Sequence, residues 1–493
     1  MSEPKPLVEA AKAKKAPKKA RPNPRARRKG AKLLKQRKHR LVAPPPGGSQ
    51  YPLSEVHVDR LFWRAGFGPT AEDRANWTGK NIYSAVDWLL NAPPTPLLGI
   101  DPTRDGQVLA PTTNDQDLQL EWVSQMARAR NPLPERLTFF WHRHFGNSRD
   151  EVSPPQLIQN HIKLFRRYAD LGANPGASFR NLLYETTEDP SMLRFLTGED
   201  STRRAINENY GREVMELFAL GVTDPSGKPN YSEDDVKELA KALTGWQIDD
   251  DDPDNAKGFF TQNRWVDGNK NILGKAGNFK DRDALDVVLA HPAHPQFLVR
   301  KLWGEFIVTP PDPGTLASLV NTYVATGLQI KPLMRQILLH PALFESLGEP
   351  NMIKPPVVYV VGALRATGQS IGSTLSIDSM SEQGQRPYFP PTVAGWEGGL
   401  SWLNTNTALA RFRFANRLVN LKTLAPQDVP GEAGDAAYDR AYAAVNKPWL
   451  SDKSKGYLKG LANRMPGTNT AQRAARQIAL RAFMLGGPDA QVM

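Results

Sequence analysis

The stretch Ser232-Glu233-Asp234-Asp235-Val236-Lys237-Glu238-Leu239-Ala240-Lys241-Ala242-Leu243-Thr244-Gly245 carries the helical reading of this chain. Val236, Leu239, Ala240 and Leu243 fall at i, i+3, i+4 and i+7, the spacing that lines one face of an α-helix. Ser232 with Asp235 three residues on makes a capping box, and Gly245 suits the exit. Upstream, Tyr210, Val214, Leu217 and Phe218 give 207–221 a similar apolar stripe, closed by Gly221. Further helices are expected over 155–171, 284–289, 294–306, 314–326, 332–339 and 356–367. Alternating patterns are scarce. The β-branched run Val357–Val361 continues without a turn into Gly362-Ala363-Leu364-Arg365, which reads as a buried helix rather than a strand. The expectation is a mainly α protein: one large multi-helix domain over 51–493 with long Pro/Gly-rich loops. A C-terminal lobe is expected from about 350, because 368–399 turns rich in Gly, Pro and Ser.

Composition narrows the classes. With no cysteine among 493 residues, disulfide scaffolds, thiolate metal sites and cysteine nucleophiles are excluded. No apolar run approaches the roughly 18–20 residues that span a bilayer. The formal charge of +12 comes from 63 Lys and Arg against 51 Asp and Glu, and it is concentrated. Residues 1–50 hold 16 of the basic side chains and only Glu3 and Glu9 as acids, so the remainder is close to neutral. Such a Lys/Arg/Pro-rich tail buries too little apolar surface to offset the entropy of ordering, so it is expected to be disordered, with Pro44-Pro45-Pro46-Gly47-Gly48 as a linker. Residues 12–40 are either a solubilising extension or an anchor for a polyanion such as nucleic acid or an anionic surface. A secretory leader needs an apolar stretch of roughly 7–15 residues after its basic run, and lysines interrupt 28–35. A cytoplasmic location is expected on that ground.

Landmarks recur in order along the chain. They are Arg60-Leu61-Phe62-Trp63-Arg64-Ala65-Gly66-Phe67-Gly68, Phe139-Phe140-Trp141-His142-Arg143-His144-Phe145, Asp189-Pro190-Ser191, Asn207-Glu208-Asn209-Tyr210-Gly211-Arg212-Glu213-Val214-Met215-Glu216-Leu217, Leu243-Thr244-Gly245-Trp246, His291-Pro292, Arg300-Lys301-Leu302, Lys354-Pro355-Pro356 and Gly395-Trp396. From about residue 54 onward this set resembles the bacterial family catalogued as domain of unknown function 1800. The resemblance implies an α-helical fold and no stated activity. Two positions depart from it. Gly211 stands where the family usually has Ala, at a cost of about 1 kcal/mol in helix propensity unless close packing needs it. The His-Asp pair common before the Gly-x-Lys is replaced by Trp265-Val266-Asp267. Many members are exported, and this N-terminus carries no such signal.

Two polar groupings could carry chemistry. His142 and His144 are candidate metal ligands, because imidazole is the commonest one. Residues two apart on a helix point about 200° apart, so both reach one ion only if the helix ends near Gly146. The packing reading makes His144 a core residue and His142 a surface one. The second grouping is Glu208, Arg212, Glu213 and Glu216, a charged ladder beside the apolar stripe. Paired carboxylates with an arginine suit general acid/base work, or, with His142 and Glu213, a divalent cation. The same ladder also describes an ordinary salt-bridged face. Lys270 and His291 recur in the family without a chemistry that the residues themselves dictate.

Familiar motifs fail on their details. Gly368-Gln369-Ser370-Ile371-Gly372 matches a nucleophile elbow, yet the last histidine is His340, so no triad histidine follows. Gly221 to Lys228 and Gly268 to Lys275 have the wrong spacing for phosphate loops. Asp249–Asp252 with Asp254 lacks the glycine and the closing Glu of a calcium loop. Two functions are therefore expected: a metal- or carboxylate-dependent hydrolase-like enzyme using the His/Glu/Arg set, or a helical scaffold for a partner protein or envelope polymer. The first requires the two groupings to meet in one concave site.

Overall fold

In the computed structural model, which describes residues 52–93 and 95–493, Ser232 and Asp235 form the expected capping box and start the helix Glu233–Ala242. The Lys/Arg-rich tail and its segment 12–40 lie outside the described residues. Twenty α-helices run through the described chain, and one hydrophobic core extends from Leu53 to Met493. The predicted helices appear at Pro155–Ala169, Asp281–Leu289, Ala293–Phe306, Pro313–Ala325, Ile330–Leu339 and Pro356–Thr367. Among the described residues no helix is long and apolar enough to cross a membrane.

Among the described residues, strand structure beyond isolated bridges is limited to three antiparallel hairpins: Thr103–Arg104 with Gln107–Val108, Trp246–Asp249 with Lys257–Phe260, and Lys270–Ile272 with Lys275–Gly277. Strands of two to four residues are too short for alternation to register in a sequence. Lys270 and Asp235 brace the last hairpin. The Lys270 amine donates to Gly268 O and Asn278 Oδ1, and Asp235 accepts from the Leu273 N–H at 2.7 Å.

The helix expected over 207–221 is interrupted. An α-helical turn at Asn209–Glu213 passes into a π-helix at Val214–Ala219, and the N–H groups of Leu220 and Gly221 both reach Met215 O, at 3.1 and 3.0 Å. Gly211 marks the closest approach of this segment to Glu233–Ala242. A Cβ there would sit 3.2 Å from Ala240 N and 3.3 Å from Val236 O, which accounts for the departure from Ala.

Buried arginines tie distant segments together. Arg60 donates to the carbonyls of Leu343, Glu345 and Ser346, and Arg64 to those of Phe306 and Met493. Arg365 holds Gly68, Ala127 and Ala129. The chain from Asn351 onward shares the core with the first helix, Glu55–Arg64. Gly362 lies against Trp63, where a Cβ would fall 2.5 Å from the indole, and Ile353 pairs with Val492.

Gly146 follows the helix Leu133–His144 and faces the 390–396 loop. A Cβ at this position would lie 2.4 Å from Val393 O and 2.7 Å from Thr392 O, and backbone yields less than a side chain does. Gly146→Ala is expected to lower stability by about 1–3 kcal/mol, read as a reduced urea midpoint with an unchanged slope.

Candidate functional site

The glutamate and arginine ladder lies half-exposed on the segment 208–216. Arg212 is held end-on by Glu233, with contacts of 2.8 and 2.7 Å, and Glu208 stands 3.5 Å away. These hydrogen bonds raise the Arg212 pKa and lower that of Glu233. Glu213 behaves differently: burial, then the neighbouring Glu216, raise its pKa against the pull of Arg212. Burial, then the neighbouring Glu216 carboxylate, push the Tyr231 phenol up to about 12.

Behind this face the end of the π-helix is buried, and its carbonyls need donors. Lys301 Nζ donates to Leu217 O at 2.9 Å, His144 Nε2 to Phe218 O at 3.0 Å, and His294 Nδ1 to Ala219 O at 3.0 Å. A carbonyl only accepts, so these bonds set both tautomers. His144 Nδ1 is then free to accept from Lys301 Nζ at 3.2 Å, and His294 Nε2 accepts from the Tyr323 hydroxyl at 3.1 Å. Burial, joined by the charges of Lys301 and Arg143, lowers the His144 pKa well below the usual imidazole value. Burial takes His294 down to about 4. Burial and then Arg143 bring Lys301 down to about 7. In the sequence His144 stands in one of the landmarks, and so does Lys301 in Arg300-Lys301-Leu302. His294 and Tyr323 join the network through helix packing, which left no motif.

His142 is fully buried, not the surface residue that helix periodicity suggested. Its ring is enclosed by Trp122, Tyr388 and Trp396, two of them from the 388–396 loop, and burial takes it down to about 3. His142 Nε2 accepts the Tyr388 N–H at 3.1 Å, which leaves the proton on Nδ1 and no lone pair for an ion. Both nitrogens of His144 are likewise engaged. The donor set therefore does not fit a metal shared by His142, His144 and Glu213, and among the described residues no three His, Asp or Glu side chains are placed to hold one. A histidine–carboxylate pair that motif reading did not single out lies nearby: His161 Nδ1 is 2.8 Å from Asp189 Oδ1, and that oxygen also accepts the N–H groups of Ser191 and Met192.

A larger concave feature than any at the ladder lies elsewhere. A cavity of about 470 Å³ opens between the first helix and the C-terminal helices, lined by Arg60, Trp63, Lys354, Tyr442 and Trp449 among others. Lys354 is buried in its wall. Its amine donates to Ala490 O at 2.9 Å and sits 3.8 Å over the Trp63 ring. Burial, then Arg411, bring Lys354 down to about 7, with Asp59 opposing. Burial takes Arg60 down to about 10. Both residues were landmarks in the sequence, Arg60 four residues before Arg64 and Lys354 before its two prolines, but neither spacing names a chemistry.

Fold and site together describe a large helical protein with buried titratable amines and an aromatic-walled cavity open between its first helix and its C-terminal helices. The chain belongs to the family described as protein of unknown function (DUF1800), which it matches over residues 60–492. No curated protein and no solved structure shows a significant match to it.

The two depressed lysines set a pH dependence. Between about pH 7 and pH 10 an unfolded lysine holds its proton while the folded Lys301 and Lys354 have lost theirs, so the unfolded state binds more protons and stability rises with pH. Chemical denaturation from pH 7 to 9.5 is expected to show a rise on the order of 1 kcal/mol per pH unit, and Lys301→Met to remove part of it.

Proposed function

We propose that this protein acts by binding a small ligand in the cavity between its first helix and its C-terminal helices. The observation that carries the reading is the cavity itself: about 470 Å³, aromatic walls, and a buried amine and guanidinium in the lining. That combination is what ligand sites offer, an apolar body with a few fixed polar groups. A wider hollow of about 750 Å³ lies between Pro313–Ala325 and Ile330–Leu339, but it is shallow and its Arg335 is paired with Asp87 at 2.9 Å. Of the two functions expected from the sequence, this is nearer the non-enzymatic scaffold, with a small molecule in place of a partner protein or envelope polymer.

The enzymatic branch is supported by one observation, the raised pKa of half-buried Glu213 beside Glu216, which suits a metal-free general acid. Against it, Arg212 is already bound by Glu233, the Nε2 atoms of His142 and His144 meet the backbone, and His144 Nδ1 accepts from Lys301. The ladder and His144 accordingly serve, in this reading, to hold the π-helix in place, and His142 to anchor the 388–396 loop. The segment 12–40 supplies a separate, nonspecific attachment to polyanions. Heparin retention of the full chain at low salt is expected to exceed that of a chain beginning at Tyr51, and equal retention would remove this role.

Gly348 lines the cavity, and a Cβ there meets nothing within 4 Å, so a side chain can be introduced at this position, and phenylalanine is the size chosen to obstruct the space. Thermal melts against a panel of small metabolites are expected to give compounds that raise the Tm of the native chain but not of Gly348→Phe. Glu213→Gln is expected to respond as the native chain does. Stabilisation that survives in Gly348→Phe and is lost in Glu213→Gln would favour the glutamate site instead.

A further inference from the structure

Resting on the cavity reading, we infer that the ligand is a small organic monoanion with an apolar or aromatic body, and that Lys354 takes up a proton when it binds. The charges around the cavity point to this class. Three acids line it, and each is engaged. Asp59 is held by Arg74 through contacts of 2.6 and 3.0 Å, Asp489 accepts the Ser451 N–H at 2.7 Å, and Glu55 sits at the mouth, 3.6 Å from Arg74. The cations are less completely matched. Among the described residues Arg60 hydrogen-bonds only to backbone carbonyls and neither Lys447 nor Lys354 makes an ion pair, while Lys455 is paired with Asp452 at 3.3 Å.

Lys354 is the group whose state the ligand would change. A protonated amine has three N–H donors. Ala490 O takes one and the Trp63 face offers a cation–π contact, so hydrogen-bonding capacity is left over. The charged and titratable neighbours come from every side. Asp59, Arg60 and Glu55 belong to the first helix. Arg411, whose guanidinium donates to Lys354 O at 2.8 Å, belongs to Thr405–Asn420, and Tyr359 to the helix that follows Lys354. Tyr442, Lys447 and Lys455 come from the C-terminal helices and their connection, and Asp489 from the closing turn. Near-neutral depression of the amine by burial and by Arg411 is relieved by an anion, which restores the charged form. Trp63, Tyr442 and Trp449 supply flat apolar walls for the body of the ligand.

The test is calorimetry on the full chain with 2-naphthoate and its neutral isostere 2-naphthamide, at pH 6.5, 7.5 and 8.5, in buffers of different ionisation enthalpy. Expected is one naphthoate site, about tenfold tighter than the amide at pH 6.5, weakening as pH rises above 7. A fractional proton is taken up at pH 7.5 with naphthoate and none with the amide. Lys354→Met brings naphthoate affinity down to that of the amide, and Gly348→Phe abolishes both. If Lys354→Met does not fold, proton uptake by the native chain decides the matter. Equal affinity for the two compounds, or naphthoate binding without proton uptake, overturns the anion class and leaves the cavity reading intact. Binding of neither compound, or binding unchanged in Gly348→Phe, removes both.

Discussion

Basic side chains taken out of water and matched to backbone carbonyls hold this structure together. A buried guanidinium or ammonium loses solvation that a carbonyl restores only in part, so each such contact survives only where several acceptors converge. Arg60 gathers three carbonyls from 343–346, Arg365 gathers three from two separate segments, and Arg411 reaches Lys354 O and Gln491. These clamps join parts of the chain that hydrophobic packing alone would leave free to slide. Arginine keeps its charge under such conditions, whereas lysine sheds its proton more readily. The same constraint therefore divides the two residue types into permanent clamps and titratable amines.

Lys301 and Lys354 are the titratable ones. Lys301 closes the end of the π-helix together with His144 and His294, so the wider turn and the depressed amine belong to one arrangement. A π-turn presents its last carbonyls to one side, and three donors from two other helices meet them there. The Glu213 and Glu216 carboxylates ride on the outer face of that turn. Their geometry depends on the buried network without touching it, which explains how the landmark histidines and glutamates come to be near in sequence pattern yet separate in role. Lys354 instead lines an open cavity, and that is what distinguishes it from Lys301.

The helices were legible because each is a local event. The capping box at Ser232, the stripe at Val236 to Leu243, and the run Val357 to Leu364 need only their own residues to be read. Gly211 was legible as a question, and its answer, close contact with Ala240 and Val236, required the neighbouring helix. The π-turn was not legible, since α and π registers share almost the same apolar stripe over two turns and differ only in which N–H meets Met215 O. His142 was assigned to a surface face because periodicity describes one helix. Trp396 and Tyr388, which bury it, arrive more than 240 residues later on an irregular loop.

From its own residues the sequence determined a mainly helical chain of this family, with its helix starts and a charge excess confined to the first 50 residues. Each of these depends on residues within a few positions of one another, or on composition. The tertiary structure alone decided which lysines and arginines lose their water, which histidines keep a lone pair, and where a cavity is left between helices. Desolvation is a sum over neighbours from the whole chain, and a basic side chain carries no local mark of the company that will bury it.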